Sequence, residues 1–490
     1  MPRKFASVPF YLIVFCLSVI LFSWRREFAM RLVVFGICLL GLYEAVLGIS
    51  QIFGHSVSNH SLFALTGTLS NPGPYGGLMA VVFAVTFAQS LRESRQVLPA
   101  LCAIASFLVL PASMSRAGWL AAGAAVIVWA FYEKNLYTWL KQHRLLAILS
   151  SSALAAFFVG IFFLKPASAM GRLHIWHMDL LAIAAEPLHG WGLGKRAFAF
   201  GEAQSRFYSE ALRTPSVISL SCCPEESFNE YLSLAVELGV PALILILAIL
   251  FLALRCLMKR ESPLAYGLVA WMVFAFFSYP LSIMPMVILL AVFLGDAFSL
   301  EEGAGRRIVM AASAFALLLS AGIFINQLDE YRQHRKAVDS YASSRMYMRD
   351  GTYDLAVECL EPLLDDLGSE FRYLYDYGYA LHKTGRYEES NSILQRGASI
   401  SCDPMFHDIM GKNHEALGNY EMAEREYLHA RDMVPCRLYP YILLMDMKAS
   451  QADTLSAIEY ARAAAALPVN PRHAGMQGLR ERALSFLEHD

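Results

Sequence analysis

The sequence predicts an all-α protein in which a polytopic membrane bundle of about ten helices precedes an α-solenoid of paired helices. Three observations support this fold class. Of the 490 residues, 56% are hydrophobic and 17% are charged, whereas roughly a quarter are charged in soluble domains. Apolar runs broken by short polar loops fill the chain up to residue 326, and a repeat with a period of 33 to 34 residues follows.

The overall composition excludes several other classes of protein. The 40 Lys and Arg residues nearly balance the 42 Asp and Glu residues, which argues against a nucleic-acid-binding protein with its basic excess. The 31 Phe, 23 Tyr and 7 Trp residues exclude a disordered chain. No Cys-x-x-Cys motif occurs among the nine cysteines, so no zinc ribbon is predicted. An integral membrane protein remains.

Ten apolar runs are long enough to be membrane spans, since a hydrocarbon core of about 30 Å takes roughly 20 helical residues. They are residues 5–24, 31–53, 72–90, 97–114, 116–132, 145–164, 228–254, 263–279, 283–299 and 308–326. We therefore predict a transmembrane domain at residues 1–326 and a second domain at residues 327–490.

The charges of the loops predict the orientation of these spans. Alternate loops are rich in Arg and Lys, and such loops lie on the cytoplasmic side. This assignment places the loop at 54–69 and the long loop at 165–227 on the outer face. Because the last span then leaves the membrane outwards, residues 327–490 are also predicted to lie outside.

The C-terminal domain is predicted from its repeats. A Gly-x-Tyr motif recurs at Gly351 to Tyr353, Gly385 to Tyr387 and Gly418 to Tyr420. We expect the Gly to turn the chain between two antiparallel helices and the Tyr to pack between them. The period resembles that of the tetratricopeptide repeat, and this resemblance implies a concave groove that binds a protein or peptide partner.

Two motifs precede predicted spans at the outer face. Asn71 stands before Pro72 and Gly73, where it either caps a helix or lines a substrate site. Arg116 lies between two apolar runs. An arginine at that depth either snorkels to the lipid headgroups or has a function, and its planar guanidinium suits a phosphate.

The long outer loop offers a second arginine. Arg172 and Trp176 are four residues apart and share one face of a helix, so a cation for phosphate and a flat surface for a sugar ring lie together. Four further basic residues make this loop basic: Lys195, Arg196, Arg206 and Arg213. Solvated charge explains some of them, and an anionic, membrane-borne substrate is the functional interpretation.

The start of the seventh predicted span carries polar residues at helical spacing. These are Asn229, Glu230, Ser233 and Glu237. A carboxylate near the membrane boundary is costly unless it is paired. Glu230 is therefore expected either to form a structural ion pair with Arg116 or Arg172, or to take part in chemistry beside them.

The order of these motifs resembles the O-antigen ligase superfamily, which also includes O-antigen polymerases and bacterial protein O-oligosaccharyltransferases. The resemblance covers about residues 60–300. It implies a GT-C-like transferase of the bacterial inner membrane, with the C-terminal domain in the periplasm. Such an enzyme moves a glycan from undecaprenyl pyrophosphate to a hydroxyl of a lipid, glycan or protein acceptor during polysaccharide biosynthesis in the cell envelope. The resemblance implies no cofactor, neither a nucleotide sugar nor a metal, and no nucleic-acid partner.

The resemblance also implies roles for single residues. Arg116 and Arg172 match the arginines that hold the donor pyrophosphate. The other candidates for donor or glycan binding are Trp176, Asn71 and Asn229. Phe228 occupies the position of a family His that is proposed to activate the acceptor, so either another group supplies the base or the acceptor is not deprotonated by this segment. The alternatives are Glu230, His189 and His174, which we predict as catalytic residues, together with His177 and Glu226.

Two other functions stay open at this point. One is a polysaccharide polymerase, and the other is a non-enzymatic transporter or envelope scaffold whose repeats bind a partner. The enzyme hypothesis requires Arg116, Arg172 and Glu230 to line one cavity at the outer leaflet. On the predicted outer side, adjacent Cys222 and Cys223 rarely bond each other, so we expect one of them to bridge elsewhere.

Overall fold

The computed structural model describes residues 8–93, 96–143, 148, 160, 166–210, 214–468 and 474–489. Over these ranges all regular structure is helical and no strand occurs, which confirms the all-α class. Helices α1 to α13 are Val8–Trp24, Arg26–Ile52, Pro72–Arg92, Val97–Ala112, Arg116–Glu133, Leu136–Gln142, Pro166–Ala185, Arg196–Ser209, Pro215–Ile218, Glu230–Leu238, Val240–Lys259, Leu264–Phe277 and Met284–Phe298. Helices α14 to α23 are Ala304–Asp350, Tyr353–Leu360, Leu364–Leu367, Phe371–Lys383, Tyr387–Ala398, Met405–Ala416, Tyr420–Met433, Tyr439–Ser450, Thr454–Ala466 and Ala474–His489.

Several helices of the first part have the character of membrane spans. By length and composition, α2, α3, α11 and α14 are able to cross a membrane, and α1, α4, α12 and α13 are apolar but shorter. Helix α3 is buried among α4, α5 and α12, whereas α11 and α14 expose apolar side chains such as Phe251 and Phe315. Exposed apolar faces of this size fit a bundle surrounded by lipid.

Most predicted spans coincide with single helices, and one prediction is wrong. The predicted span at 145–164 lies outside the described residues. The predicted span at 228–254 is instead two helices, α10 and α11, separated by Gly239 at φ +82°. A side chain at Gly239 would collide with the carbonyl of Leu188. The outer loop thus approaches this point so closely that only a glycine fits, and the helix ends there.

The last predicted span, 308–326, lies within the unbroken helix α14, which continues to Asp350. Near its start α14 packs against α1, where Phe324 contacts Phe10. Further along, the Tyr341 hydroxyl donates a hydrogen bond of 2.7 Å to Asp376 in α17. The predicted change of domain after residue 326 therefore falls inside one helix that both parts share.

The C-terminal part is built from helical hairpins, with α17 against α18, α19 against α20 and α21 against α22. Gly385 and Gly418 turn the chain inside the first two hairpins at φ +79° and +78°, as the sequence predicts. The expected role of the motif tyrosine is wrong for Tyr420, which is 43% exposed. Tyr373, Tyr377 and Tyr427 are the buried tyrosines of the described C-terminal helices instead. The assignment of these hairpins to the tetratricopeptide family stays a prediction.

The long outer loop is largely helical and docks onto the tail through α8 and α20. The side chain of Gln204 donates a hydrogen bond to the carbonyl of Met433. A disulfide joins Cys223 to Cys402, whose Cα atoms are 5.5 Å apart. The expected bridge from the adjacent cysteines is therefore present, and it fastens the loop to the repeats.

Candidate functional site

The first wall of the site is the junction between the starts of α3 and α5. Asn71 caps α3, since its Oδ1 accepts a hydrogen bond of 2.9 Å from the Gly73 N–H. Ser115 caps α5 and donates a hydrogen bond of 3.2 Å from its hydroxyl to the Gly73 carbonyl. A Cβ at Gly118 would lie 2.5 Å from the carbonyl oxygen of Gly76. The small residues of the two motifs thus let both helix starts touch, and this contact fixes where Arg116 begins α5.

Two polar residues of α2, which the sequence analysis did not single out, anchor the loop that leads to this wall. The Gln51 amide accepts hydrogen bonds from the N–H groups of Thr66 and Gly67, at 2.9 and 2.7 Å. The buried Glu44 carboxylate accepts from the Thr68 N–H at 3.0 Å. Their spacing of seven residues, which puts them on one face of an otherwise apolar helix, is the signal that could have found them.

Helix α7 forms the second wall and lies across one end of the bundle, near the start of α5 and the end of α12. Three residues spaced four apart along it face the bundle. Ser168 accepts a hydrogen bond of 3.3 Å from Arg116. Arg172 donates one of 3.1 Å to the Phe277 carbonyl. The Trp176 ring nitrogen donates one of 3.2 Å to a carbonyl of the segment before α10. One face of α7 therefore carries both Arg172 and Trp176, as predicted, and also meets Arg116.

The two arginines lie within electrostatic range of each other. Burial lowers the pKa of the Arg172 guanidinium, and the nearby positive charge of Arg116 lowers it further. Within the described ranges Arg172 forms no ion pair with a carboxylate. Two close guanidiniums in a half-buried place repel each other, so an anion with several oxygens is the ligand that would stabilise both.

Phe228 holds an unusual position under Arg172. The guanidinium carbon lies 4.9 Å from the centre of the Phe228 ring, within the range of a cation–π interaction. Phe228 has φ +55°, a left-handed conformation that is rare for a bulky side chain and typical of strained functional positions. Phe228 thus orients an arginine, and its side chain offers no base at this position.

The next two residues begin α10. Asn229 is buried and caps the helix, with Oδ1 accepting hydrogen bonds of 3.1 and 3.2 Å from two backbone N–H groups. Glu230 is 4% exposed and accepts a hydrogen bond of 2.9 Å from the Leu281 N–H. The carboxylate thus faces the turn after α12. Both alternatives for Glu230, an ion pair with an arginine and a part in the chemistry, stay predictions.

That turn supplies two further groups that sequence reasoning missed. The Ser282 hydroxyl donates a hydrogen bond of 3.0 Å to the Glu226 carboxylate. Tyr279 lies within electrostatic range of both Glu226 and Arg172. The Tyr279 ring also contacts the Phe228 ring edge to face at 5.7 Å. Tyr279 therefore lies near both Arg172 and a half-buried carboxylate. In the sequence, the position of Tyr279 directly before Pro280, at a predicted turn, was the one signal for Tyr279.

The structure does not bring the two predicted histidines to the arginines. His174 is two residues from Arg172, which is about 200° around a helix, and its ring instead bonds Gln204 at 3.1 Å. Burial lowers the pKa of the His174 imidazole. His189 is exposed in the loop that pairs with the end of α10. The end of α10 lies about 12 Å along the helix axis from Glu230, which begins this helix. His189 is therefore at the opposite end of α10 from Glu230.

One of the basic loop residues has a structural role. Arg196 is 2% exposed and forms an ion pair with the fully buried Asp179. Its guanidinium nitrogens donate hydrogen bonds of 2.9 to 3.2 Å to the Asp179 carboxylate oxygens. Asp179 also accepts a hydrogen bond of 2.6 Å from the Ser227 hydroxyl. The expectation that Arg196 is solvated or meets a substrate is wrong, because its charge is neutralised inside the loop. Arg213 lies outside the described residues.

Comparison with known proteins gives one match. A family model described as O-Antigen ligase matches residues 101–247, from α4 to the first half of α11. No curated protein matches the chain. The matched segment contains Arg116, Arg172, Glu226 and Phe228, but neither Asn71 nor the C-terminal helices. Together with the apolar helices, it supports a membrane enzyme of the O-antigen ligase and polymerase family, whose members are of the glycosyltransferase type.

Proposed function

We propose that this protein, similar over residues 101–247 to O-antigen ligases, transfers a glycan from undecaprenyl pyrophosphate to an acceptor hydroxyl. In this proposal the site faces the periplasm at the outer leaflet of the bacterial inner membrane. The C-terminal helices lie in the periplasm as well. The acceptor is a lipid, a glycan or a protein.

One observation carries the proposal: Arg116 and Arg172 lie within electrostatic range of each other between α5 and α7, at one end of apolar helices. A pyrophosphate offers several oxygens to two planar guanidiniums, and such pairs are charge-assisted and bidentate. Arg172 already has its position fixed by the Phe277 carbonyl and the Phe228 ring. The site is therefore preorganised for an anion.

The chemistry follows from the donor. A glycosyl pyrophosphate carries a good leaving group, so catalysis mainly requires positioning and stabilisation of the charge that develops on it. As the bond between C1 and oxygen breaks, the two guanidiniums receive that charge. The acceptor hydroxyl attacks C1 and gives its proton to a base. Direct displacement of this kind inverts the anomeric centre.

Among the residues that could act as base, Glu226 fits best. It is half-buried, it bonds Ser282, and it shares Tyr279 with Arg172. Glu230 is more deeply buried and bonds a backbone N–H. Glu225 is exposed and pairs with Arg372 of the tail. A retaining mechanism with a carboxylate nucleophile is the alternative, and Glu226 is again the best placed of the three.

The experiment measures transfer of a lipid-linked oligosaccharide by purified protein in nanodiscs. Arg172→Ala removes a charge-assisted contact of roughly 3 kcal/mol and should slow transfer about a hundredfold. Arg172→Lys should restore little of it, because an ammonium lacks the bidentate fork. Arg206→Ala, an exposed arginine of the same outer loop, is the matched control and should leave transfer near normal.

The assay also separates the competing functions. A product that lengthens by whole repeat units would identify a polymerase. Absence of transfer by the wild-type protein with lipid, glycan and protein acceptors would favour the transporter or scaffold alternative. Normal transfer by Arg172→Ala, with the variant inserted and abundant, would overturn the donor-site assignment.

A further inference from the structure

Four cysteines meet where the outer loop docks on the tail. Cys222 and Cys223 are adjacent in the segment before α10. Cys402 and Cys436 lie 34 residues apart, one repeat period, and each precedes the first helix of a hairpin, α19 and α21. The pair on the loop therefore faces equivalent positions of two consecutive repeats.

One of the two possible bridges is formed, between Cys223 and Cys402. The other two thiols lie beside it. The Cys436 N–H donates a hydrogen bond of 3.4 Å to the Ser221 hydroxyl, and its thiol lies 3.5 Å from the Ser221 carbonyl oxygen. Ser221 is the neighbour of Cys222 in the chain, so Cys436 is held against the backbone that carries Cys222.

Cys222 and Cys436 also have the same surroundings. Cys222 and Cys436 pack against one apolar cluster, together with Phe200 and Met433. Burial raises the pKa of the Cys222 thiol to about 11, and Cys436 is close enough to add to the rise. The two half-buried side chains thus pack against the same cluster beside α8 and the end of α20.

We propose that Cys222 and Cys436 form a second disulfide, so that the outer loop is bonded to two consecutive repeats of the tail. Adjacent cysteines rarely bond each other, whereas each of these two has its own partner on the tail. The proposal does not depend on the transfer reaction. It requires only that the junction reach an oxidising compartment, where disulfides persist.

The reaction is an oxidation by thiol–disulfide exchange. One thiolate attacks a disulfide of a thiol oxidoreductase and displaces one of its sulfurs, which leaves a mixed disulfide. The second thiolate then attacks the protein sulfur of the mixed disulfide and releases the other. In total the two S–H bonds of the protein and the S–S bond of the oxidoreductase break, one S–S bond forms in the protein, and two electrons and two protons pass to the oxidoreductase, which becomes a dithiol.

A second disulfide would restrict the position of the segment before α10. This segment contains Glu226 and Phe228, which lie a few residues after Cys222 and Cys223. With one disulfide the segment can pivot about Cys223. With two bonds at adjacent residues its direction relative to the tail is fixed, and the tail becomes a rigid support for the candidate site.

The test counts free thiols in the full-length protein purified from the membrane. The protein is denatured without reductant, alkylated with N-ethylmaleimide and weighed as an intact chain. Of the nine cysteines, seven are free if only Cys223–Cys402 exists, so seven adducts would overturn the proposal. We expect five adducts in the wild-type protein.

Variants identify the bonded pair. The double variant Cys223→Ser with Cys402→Ser removes the known bridge and leaves seven cysteines. If Cys222 bonds Cys436, five adducts form, and seven would refute the pairing. Cys436→Ser alone should raise the count from five to six, because it frees Cys222. The matched control Cys359→Ser, at an exposed free thiol of the tail, should lower the count by one. Should any variant fail to fold, a wild-type count of seven adducts still overturns the proposal.

Discussion

The buried ion pair of Asp179 and Arg196 gives the sharpest prediction about stability in the outer loop. Asp179→Ala deletes both carboxylate oxygens, which accept from Arg196 at 2.9 to 3.2 Å and from the Ser227 hydroxyl at 2.6 Å. The Arg196 side chain is 2% exposed and would remain charged without this partner. Removing one member of a buried pair costs about 3 to 5 kcal/mol, mostly because the other charge stays buried.

This cost should appear as local opening of the loop, since the pair connects α7, the start of α8 and the segment before α10. Opening is measured by the rate at which a protease that cleaves after aromatic residues cuts the loop in nanodiscs. When opening and closing are fast, the rate follows the open population. A loss of 3 to 5 kcal/mol then accelerates cleavage about a hundredfold to several thousandfold.

The matched control is Arg372→Ala, which breaks the exposed pair with Glu225 at the same loop. An exposed pair contributes at most about 1 kcal/mol, so cleavage should rise less than about fivefold. Asp179→Ala combined with Arg196→Ala should be less open than Asp179→Ala alone, because no uncompensated charge remains. Equal cleavage of Asp179→Ala and Arg372→Ala would refute the reasoning.

Three further predictions concern the site and its support. Glu226→Gln should slow glycan transfer about 10²- to 10⁴-fold in the nanodisc assay, as expected for loss of a general base. An unchanged rate would exclude Glu226 as the base. Burial opposes protonation of His429, but the carboxylates of Glu202, Glu426 and Asp432 together outweigh burial and hold the imidazole pKa above its usual value. This stabilisation is complete below about pH 6.5 and is lost as the pH rises through the raised pKa. Loop cleavage should therefore increase from pH 6 to pH 8 in the wild-type protein, relative to His429→Gln. Gly118→Ala puts a Cβ 2.5 Å from a backbone carbonyl of α3 and should cost about a hundredfold in transfer by displacing the start of α5. Gly123→Ala, with open space around it, should cost nothing measurable.

The sequence by itself determined what depends on local pattern. Apolar runs predicted the positions of helices such as α3 and α5, because a hydrophobic run of fixed length has one stable form in lipid. Gly385 and Gly418 predicted the hairpin turns, because glycine tolerates a positive φ without cost. The spacing of Arg172 and Trp176 predicted that both share one face of α7. These conclusions need only the residues within one element.

Tertiary structure alone decided which elements meet. Nothing in the local pattern around Arg196 distinguishes a solvated arginine from one buried against Asp179, since the partner lies in another helix. The break at Gly239 exists because a loop fifty residues earlier passes close to it. Likewise Phe228 orients Arg172, and Tyr279 comes within electrostatic range of both Arg172 and Glu226, only because three segments converge. Periodicity and propensity act along the chain, whereas the candidate site is made of contacts across it, and those are set by packing of the whole bundle.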